Sequence, residues 1–264
     1  MIITPCCQYI SIGSIKIYLY GIILGLAIYV GVTLADKIAT KFYKITSIYN
    51  QAVILIISGL LGARLYFCLL NFQTYFNDPI RILNIREGGL SIHGAILAGV
   101  ITIYALSKKY KYNFLELCDI FSVILPLSQA IGRWGNFFNS EAFGIPTNSF
   151  LKLYVAPEFR PFEYGTNKYF HPTFLYESIL DLILFILMYK VFFKKAHKTK
   201  GLLTGIYLTG YSFIRLFIEP LRVDCTSYLF NIPVPIVISF ILLFIGEAII
   251  YFTYYFSTSR LNIK

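Results

Sequence analysis

The chain of 264 residues is 57% hydrophobic and only 14% charged, with a formal net charge of +10 and a mean hydropathy of +0.68. Soluble domains carry about 25% charged residues, so this composition excludes an ordinary soluble protein and indicates an integral membrane protein. The basic residues lie between apolar segments rather than on a polar face. This pattern argues against nucleic-acid binding and predicts contact with anionic membrane lipid.

Apolar segments long enough to cross a bilayer recur along the chain, at roughly 20 residues per span. They predict an all-α membrane protein with about seven transmembrane helices, and we treat residues 1–264 as a single polytopic membrane domain. The predicted spans cover residues 17–35, 51–70, 92–107, 114–134, 173–193, 202–219 and 236–256. Residues 1–16 are interpreted as a short polar lead, and residues 71–92 as a polar connection.

The side of the membrane follows from the basic residues. Short lysine-rich runs follow spans 1, 3 and 5, where the positive-inside rule gives them most weight. The N-terminus is therefore predicted outside and the C-terminus inside. The loop of residues 135–172 is too polar to span and too long for a simple turn. It is expected to form a small extracytoplasmic cap between spans 4 and 5, beside polar clusters from several spans.

The most polar stretch in this apolar chain is GRWGNFFNSEAFG, residues 132–144, at the predicted end of span 4. It contains Arg133, Asn136, Asn139 and Glu141, and an ionisable group at a membrane edge is costly enough to indicate function. The alternative is a polar helix end closed by a glycine cap, which needs only one or two polar residues.

A second polar motif, EGGLSIHGA, covers residues 87–95 and leads into span 3. Ser91 is the predicted N-cap and His93 falls in the first helical turn, near the positive end of the helix dipole. This position favours a neutral imidazole that can accept a proton, so His93 is a candidate general base. The alternative is a buried histidine that only hydrogen-bonds to the backbone.

Arg215 and Glu219 are spaced i, i+4 and lie on one face of span 6. One interpretation is a mutually satisfied buried ion pair. In the other, Glu219 orients Arg215, whose planar guanidinium binds phosphate bidentately. Arg133 and Arg215 would then hold a single phosphate from two sides, with Glu141 as the expected partner of Arg133.

Other polar residues are assigned less specifically. Glu177, one turn into span 5, is an intramembrane carboxylate and therefore of functional interest. Arg64 in span 2 is expected to pair with a carboxylate or a backbone carbonyl and to hold helices together. His171 is interpreted as a structural loop histidine, and Asp181 and Glu247 receive no role.

Together these motifs resemble those of the bacterial prolipoprotein diacylglyceryl transferase family. The resemblance follows the family's order over nearly the whole chain. It is carried by residues 62–65, 87–94, 132–144, 171–177 and 215–219. Ala95 departs from the second glycine that commonly follows the histidine, and residues 220–233 match the family poorly.

The resemblance implies a multi-pass enzyme of the bacterial cytoplasmic (inner) membrane with its active site on the extracytoplasmic side. It would transfer the diacylglyceryl group of phosphatidylglycerol to the lipobox cysteine of preprolipoprotein signal peptides, releasing glycerol phosphate without a cofactor. By motif position, the catalytic residues would be His93, Arg215 and Glu219. The substrate-binding residues would be Arg133, Asn136, Asn139, Glu141, Gly144 and Tyr20.

Three other classes of protein fit this sequence less well. An anion or lipid transporter needs polar residues through both halves of the membrane, whereas the predicted inner ends carry mainly lysine runs. A metal-dependent head-group transferase needs clustered acidic ligands, which the 13 Asp and Glu residues do not suggest, and the cysteines show no metal-ligand spacing. A purely structural protein leaves the density of polar residues unexplained.

Overall fold

The computed structural model describes residues 1–5, 7–84, 88–223 and 228–261, and most of them are helical. Glu87 of the second motif, Cys6 and Cys225 lie outside the described residues. The helices are α1 (Leu19–Tyr43), α2 (Tyr49–Leu70), α3 (Phe72–Asn77), α4 (Ile92–Tyr110), α5 (Phe114–Asn139), α6 (Thr173–Ile186), α7 (Phe193–Ala196), α8 (Leu202–Ile218) and α9 (Val234–Leu261).

Within the described ranges, four helices are long and apolar enough to cross a membrane. They are α1, α2, α5 and residues Val234–Tyr255 of α9. Their helical form is expected, because a bilayer offers no partner for exposed backbone groups and a helix satisfies them internally. The other three predicted spans coincide with α4, with the run from α6 to α7, and with α8. That these three also cross the membrane stays a prediction, as does the orientation.

Seven short strands, which the sequence pattern did not predict, accompany the helices. They are β1 (Ile2–Ile3), β2 (Tyr9–Ile12), β3 (Ile15–Tyr18), β4 (Lys152–Tyr154), β5 (Tyr169–Phe170), β6 (Tyr228–Leu229) and β7 (Ile232–Pro233) in the described part of the chain. The supposed polar lead is therefore partly a hairpin, since β2 pairs antiparallel with β3. The supposed polar connection likewise contains α3 and a 3-10 turn, Pro79–Leu83.

The chain divides into two compact units. Met1–Leu34 and Phe121–Lys264 form the first unit, and Ala35–Ile120 forms the second. Both boundaries fall inside long helices, α1 and α5. The single polytopic domain stays a prediction.

In the first unit, the residues between α5 and α6 form the cap around a small sheet. β4 lies between β1 and β5, parallel to β1 and antiparallel to β5. The core beneath this sheet consists of Phe137, Phe143, Leu153, Val155, Phe170 and Phe174. The rings of Phe137 and Phe174 stack with their centres 5.0 Å apart, so the last turns of α5 and the start of α6 are tied into the cap. α5 itself runs to Asn139, five residues beyond the predicted end.

In the second unit, α2 and α4 approach closely at two glycines. A Cβ added to Gly62 would lie 2.7 Å from the carbonyl oxygen of Gly94, the kind of contact that small residues permit between membrane helices. Ser91 is the N-cap of α4 as predicted, but its side chain makes no capping hydrogen bond to the described residues. Its backbone N–H donates instead to the carbonyl of Ala63 at 3.0 Å.

Arg64 is 3% exposed and binds backbone carbonyls, one of the two partners expected for it. Its guanidinium donates five hydrogen bonds of 2.5–3.1 Å, to the carbonyl oxygens of Arg81, Ile82, Asn84, Gly88 and Gly89. All five acceptors lie in the connection that leads from α3 to α4. Arg64 therefore fixes this connection against α2 rather than joining two helices directly.

Arg64→Lys is expected to loosen this connection. A lysine ammonium has fewer donors and no planar fork, and each hydrogen bond to a charged group that is lost costs about 1.5–3 kcal/mol. We expect a lower melting temperature in detergent and faster tryptic cleavage after Arg81. Lys37→Arg, which exchanges the same two side chains at an exposed position, is the control. Unchanged cleavage and melting in Arg64→Lys would contradict the proposed role of the five hydrogen bonds.

Candidate active site

In the first unit, the carboxylate of Glu177 is the point at which three arginines meet. Glu177 lies near the start of α6 and is 1% exposed. Arg215 Nη1 donates to both of its oxygens at 3.0 and 3.2 Å, and Arg133 Nη2 donates to Oε1. Arg222 Nη1 lies 3.6 Å from Oε2. One buried anion thus holds guanidinium groups from α5, α8 and the segment after α8.

Arg215 also forms the predicted ion pair with Glu219 one helical turn later. Glu219 is 4% exposed, so Arg215 is held between two buried carboxylates. Charge-assisted, partly bidentate contacts of this kind fix both the position and the plane of a guanidinium. The predicted orientation of Arg215 by Glu219 is therefore present, and Glu177 adds a second partner that the sequence analysis did not assign.

Arg133 keeps donors that its protein partner does not use. Among the described residues its hydrogen bond goes from Nη2 to Glu177, and 19% of its side chain is exposed. An arginine carries further N–H donors on Nε and Nη1 in the same plane. Arg133 can therefore bind an anion on its open side while Glu177 holds the other side.

Glu141 has a different partner from the one expected. It accepts a hydrogen bond from Asn136 Nδ2 at 2.8 Å, whereas Arg133 pairs with Glu177, so the prediction that Glu141 orients Arg133 is wrong. The physical reason is the backbone after α5, where Ser140 and Ala142 both have positive φ. This turn brings Glu141 back onto the last turn of the helix, where its N–H also bonds the Asn136 carbonyl.

Tyr20 lies beside this helix end, in the first turn of α1. A Cβ added to Gly135 would come within 2.8 Å of the Tyr20 ring, so the glycine admits the tyrosine against α5. Tyr20 is also close enough to interact electrostatically with Glu141 and Arg133. The carbonyl of Asn139 accepts a hydrogen bond from Gln8 Nε2 at 3.4 Å. The predicted site residues of α1 and α5 thus share one neighbourhood in the first unit.

Gly144 connects the cap to the segment that carries Arg222. Its N–H donates to the His171 carbonyl at 2.8 Å, and it forms an antiparallel bridge with Arg222. A Cβ at this position would lie 2.7 Å from the Leu221 carbonyl oxygen and 2.9 Å from the His171 Cβ. Space, rather than a left-handed backbone, requires glycine here.

Gly144→Ala is therefore expected to displace the Arg222 segment from the cap. The neighbouring atoms are the Leu221 carbonyl oxygen, the His171 Cβ and the Cγ2 methyl of Thr173, whose hydroxyl donates to the Ala142 carbonyl. None of these can easily swing aside, so overpacking should cost about 1–3 kcal/mol. The melting temperature in detergent measures this loss. Gly165→Ala is the matched control, because the nearest atom to its new Cβ would be a carbonyl oxygen 3.6 Å away. Equal melting of the two variants would contradict the close packing at Gly144.

The comparisons with known proteins agree with the motifs. Residues 8–252 match the prolipoprotein diacylglyceryl transferase family. The chain belongs to this family.

Several members named phosphatidylglycerol–prolipoprotein diacylglyceryl transferase are close in sequence. The protein from Thermotoga petrophila is 46% identical over 193 residues, which cover 72% of this chain and 65% of the relative. The protein from Trichormus variabilis is 42% identical over 220 residues, 81% of this chain and 78% of the relative. The protein from Parasynechococcus marenigrum is 39% identical over 217 residues, 80% and 78% of the two chains.

His93, the base expected in this diacylglyceryl transferase, lies in the first turn of α4 as predicted. It is exposed, which contradicts the alternative of a buried structural histidine, and its ring lies 6.3 Å from that of Tyr66. His93 belongs to the second unit. Glu177 and its partners Arg133, Arg215 and Arg222, which form the arginine cluster, belong to the first. Its participation in one site with Arg133 and Arg215 stays a prediction.

Two residues of the arginine cluster were missed or left unassigned from sequence. Arg222 lies seven residues after Arg215 and three after Glu219, a spacing typical of one helical face, and that spacing was the available signal although α8 ends at Ile218. Glu177 was noted but given no partner.

Asp181, one turn further along α6, is fully buried, and neither carboxylate oxygen has a hydrogen-bond partner among the described residues. His171 Nδ1 lies 3.2 Å from the Tyr176 hydroxyl.

The residues that the structure describes contain no cluster of three or more His, Cys, Asp or Glu side chains that fits a metal ion. The prediction that the reaction needs no metal or cofactor stays a prediction.

Proposed function

We propose that this diacylglyceryl transferase moves the diacylglyceryl group of phosphatidylglycerol onto the lipobox cysteine of preprolipoprotein signal peptides and releases glycerol phosphate. The observation that carries the proposal is the fixing of Arg133 and Arg215, from two different helices, on the single buried carboxylate of Glu177. Two guanidinium groups held side by side, one of them with donors to spare, form a binding site suited to a phosphodiester.

The reaction forms a bond from the thiol sulfur to a glycerol carbon and breaks the bond from that carbon to a phosphate oxygen. The thiol proton passes to a base, and the electron pair of the broken bond stays on the phosphate. Negative charge therefore grows on the phosphate in the transition state. Arg133 and Arg215 stabilise that charge more than the charge of the bound lipid, and this difference accelerates the reaction.

Glu177 and Glu219 act as positioning residues in this proposal. Three guanidinium groups repel one another, and without a central anion they would turn outward to water. Buried carboxylates hold Arg133 and Arg215 in place before the lipid arrives, so little reorganisation is needed during the reaction. Asn136, Asn139, Glu141, Gly144 and Tyr20 are proposed to shape the surrounding pocket for the phosphatidylglycerol head group.

His93 is proposed as the base that removes the thiol proton, because a thiol is a weak nucleophile until it is deprotonated. His93 is exposed in the first turn of α4, so its ring is accessible to a substrate thiol. His93→Gln is expected to lower the transfer rate by about 100-fold or more. His197→Gln, at the end of α7, is the control. A normal rate in His93→Gln would remove His93 from the proposal and leave the arginine cluster untouched.

The proposed setting is the bacterial cytoplasmic membrane, with seven spans, the N-terminus outside and the C-terminus inside. The lysine runs after spans 1, 3 and 5 support this orientation. In this orientation, the end of α5, the cap and the end of α8 face the extracytoplasmic leaflet. That is the side on which a translocated signal peptide presents its cysteine.

The transfer reaction itself is tested with purified enzyme in vesicles that contain phosphatidylglycerol and a peptide carrying a lipobox cysteine. We expect a peptide with thioether-linked diacylglycerol, identified by its mass, together with free glycerol phosphate. A peptide with serine in place of cysteine and vesicles of phosphatidylcholine are the controls. Absence of the thioether product with the cysteine peptide would contradict the proposed function.

A further inference from the structure

Two short hairpins of the first unit lead without a spacer into helices that are apolar enough to cross a membrane. β3 ends at Tyr18 and α1 begins at the next residue. β7 ends at Pro233 and α9 again begins at the next residue. The backbone N–H of Leu19 also donates to the carbonyl of Gln8 at 3.0 Å, which closes the first hairpin onto the start of α1. Both hairpins are therefore attached at membrane-entry points.

The first hairpin has two chemically different faces. Its register pairs Tyr9 with Tyr18, Ile10 with Ile17, Ser11 with Lys16 and Ile12 with Ile15. Side chains alternate along a strand and paired residues share a face. Four isoleucines therefore cover one face, and two tyrosines, a serine and a lysine cover the other. On this second face the Lys16 ammonium lies 4.7 Å from the centre of the Tyr9 ring.

The protein does not cover the isoleucine face. Ile12 and Ile15, next to the turn, are 64% and 65% exposed, and Ile10 and Ile17 are 47% and 38% exposed. A two-stranded hairpin is marginal in water without a surface to pack on. A cluster of exposed β-branched side chains marks a surface that meets another apolar phase.

The second hairpin, formed by β6 and β7, also exposes apolar side chains. Phe230 is 90% exposed, and Tyr228, Leu229 and Ile232 are exposed as well. Phe230 and Asn231 form the turn with positive φ at both positions. A bulky aromatic side chain rarely adopts this conformation, and here it projects a phenyl ring from the end of the hairpin. Strain of this kind is kept where the projecting group has a use.

We propose that the two hairpins are interfacial anchors, which insert the isoleucine face and the Phe230 ring among the acyl chains of the leaflet where α1 and α9 begin. The lipid is inferred as the partner because the isoleucine face continues directly into α1. The next residues of this helix, such as Ile22 at 50% exposure, are also uncovered. On the other face, tyrosine and lysine are the residues typical of the head-group region.

The proposal rests on α1 and α9 crossing the membrane, not on the transfer reaction. In the seven-span arrangement both helices begin on the same side, so the two hairpins enter the same leaflet. Each hairpin would then fix the depth of its helix, and α1 carries Tyr20 only two residues after β3. The anchors thereby hold one wall of the proposed pocket at a constant height in the bilayer.

The test uses nitroxide labels in a cysteine-free variant that retains transfer activity. Single labels are placed at Ile12, Ile15 and Phe230, with Ser11 as the control on the opposite face of the same strand. In phosphatidylglycerol-containing vesicles, the accessibility of each label to oxygen and to a water-soluble nickel complex is measured. We expect a several-fold higher oxygen-to-nickel ratio at the three apolar positions than at Ser11.

Several results would overturn the proposal. Equal access of the nickel complex to both faces would show that the hairpins stand in water. Shielding that appears only when lipobox peptide is added would show that the substrate pairs with the hairpin. Shielding that depends on the ratio of protein to lipid would indicate a second copy of the chain. The label at Phe230 lies in a turn and replaces no paired residue, so it reports even if a strand label disturbs the first hairpin.

Discussion

Glu177→Gln is expected to reduce the rate of thioether formation by about 100-fold or more, the scale seen when one preorganised charge-stabilising group is lost. The substitution keeps the size of the side chain but removes the charge on which Arg133, Arg215 and Arg222 converge. Leaving buried charges without their counter-ion typically costs about 3–5 kcal/mol, so the melting temperature in detergent should fall as well.

The control for this variant is Glu163→Gln, which removes the same charge from an exposed position in the cap. Glu177→Asp keeps the charge on a shorter side chain and should give an intermediate rate. A Glu177→Gln enzyme with normal rate and normal melting would show that the three arginines do not depend on this carboxylate. A stable enzyme with a low rate would assign Glu177 to the reaction rather than to folding.

Arg133→Lys is expected to lower the transfer rate by a similar factor, about 100-fold. An ammonium is a point charge, so it can contact Glu177 or the phosphate but cannot hold both in one plane as a guanidinium does. The interaction lost is strongest in the transition state, and the effect should therefore fall mainly on kcat rather than KM. Steady-state rates at several phosphatidylglycerol concentrations separate the two constants.

Arg160→Lys provides the matched control, because Arg160 also uses its guanidinium to bind partners, the carbonyls of Val155 and Gly165 at 2.9 and 3.1 Å. These contacts lie within the cap, and only stability should change. If Arg133→Lys raised KM alone, Arg133 would bind the lipid equally in the ground and transition states. If it changed neither constant, the phosphate site would have to lie elsewhere.

The sequence predicted what depends on composition and on short spacing. Long apolar runs located the helices, and the i, i+4 spacing of Arg215 and Glu219 gave a pair that the structure contains. The partner of Arg133 could not be predicted in this way, because Glu177 is 44 residues away along the chain. Glu141 was a wrong choice since the left-handed turn at Ser140 reverses the chain before Glu141 can reach Arg133.

The hairpins were missed for a different reason. Each strand is only two to four residues long, which is too short for a two-residue period to stand out. In addition, isoleucines that alternate with a serine and a lysine over so few residues resemble an irregular polar lead. Their pairing becomes visible only from the register.

The hydrogen bonds from Arg64 to five backbone carbonyl oxygens limit how the connection from α3 to α4 can vary between related chains. Peptide oxygens are common to all amino acids, so the side chains of Arg81, Ile82 and Asn84 can be exchanged without loss of the contacts. Gly88 and Gly89 differ, because both have positive φ and a Cβ at Gly89 would meet the Phe67 ring at 2.6 Å. Insertions or deletions in this connection would break the hydrogen bonds, because they would move the carbonyl acceptors away from the Arg64 guanidinium. We therefore expect residues 81–84 to drift in sequence among relatives, while the two glycines and the length of the connection stay constant.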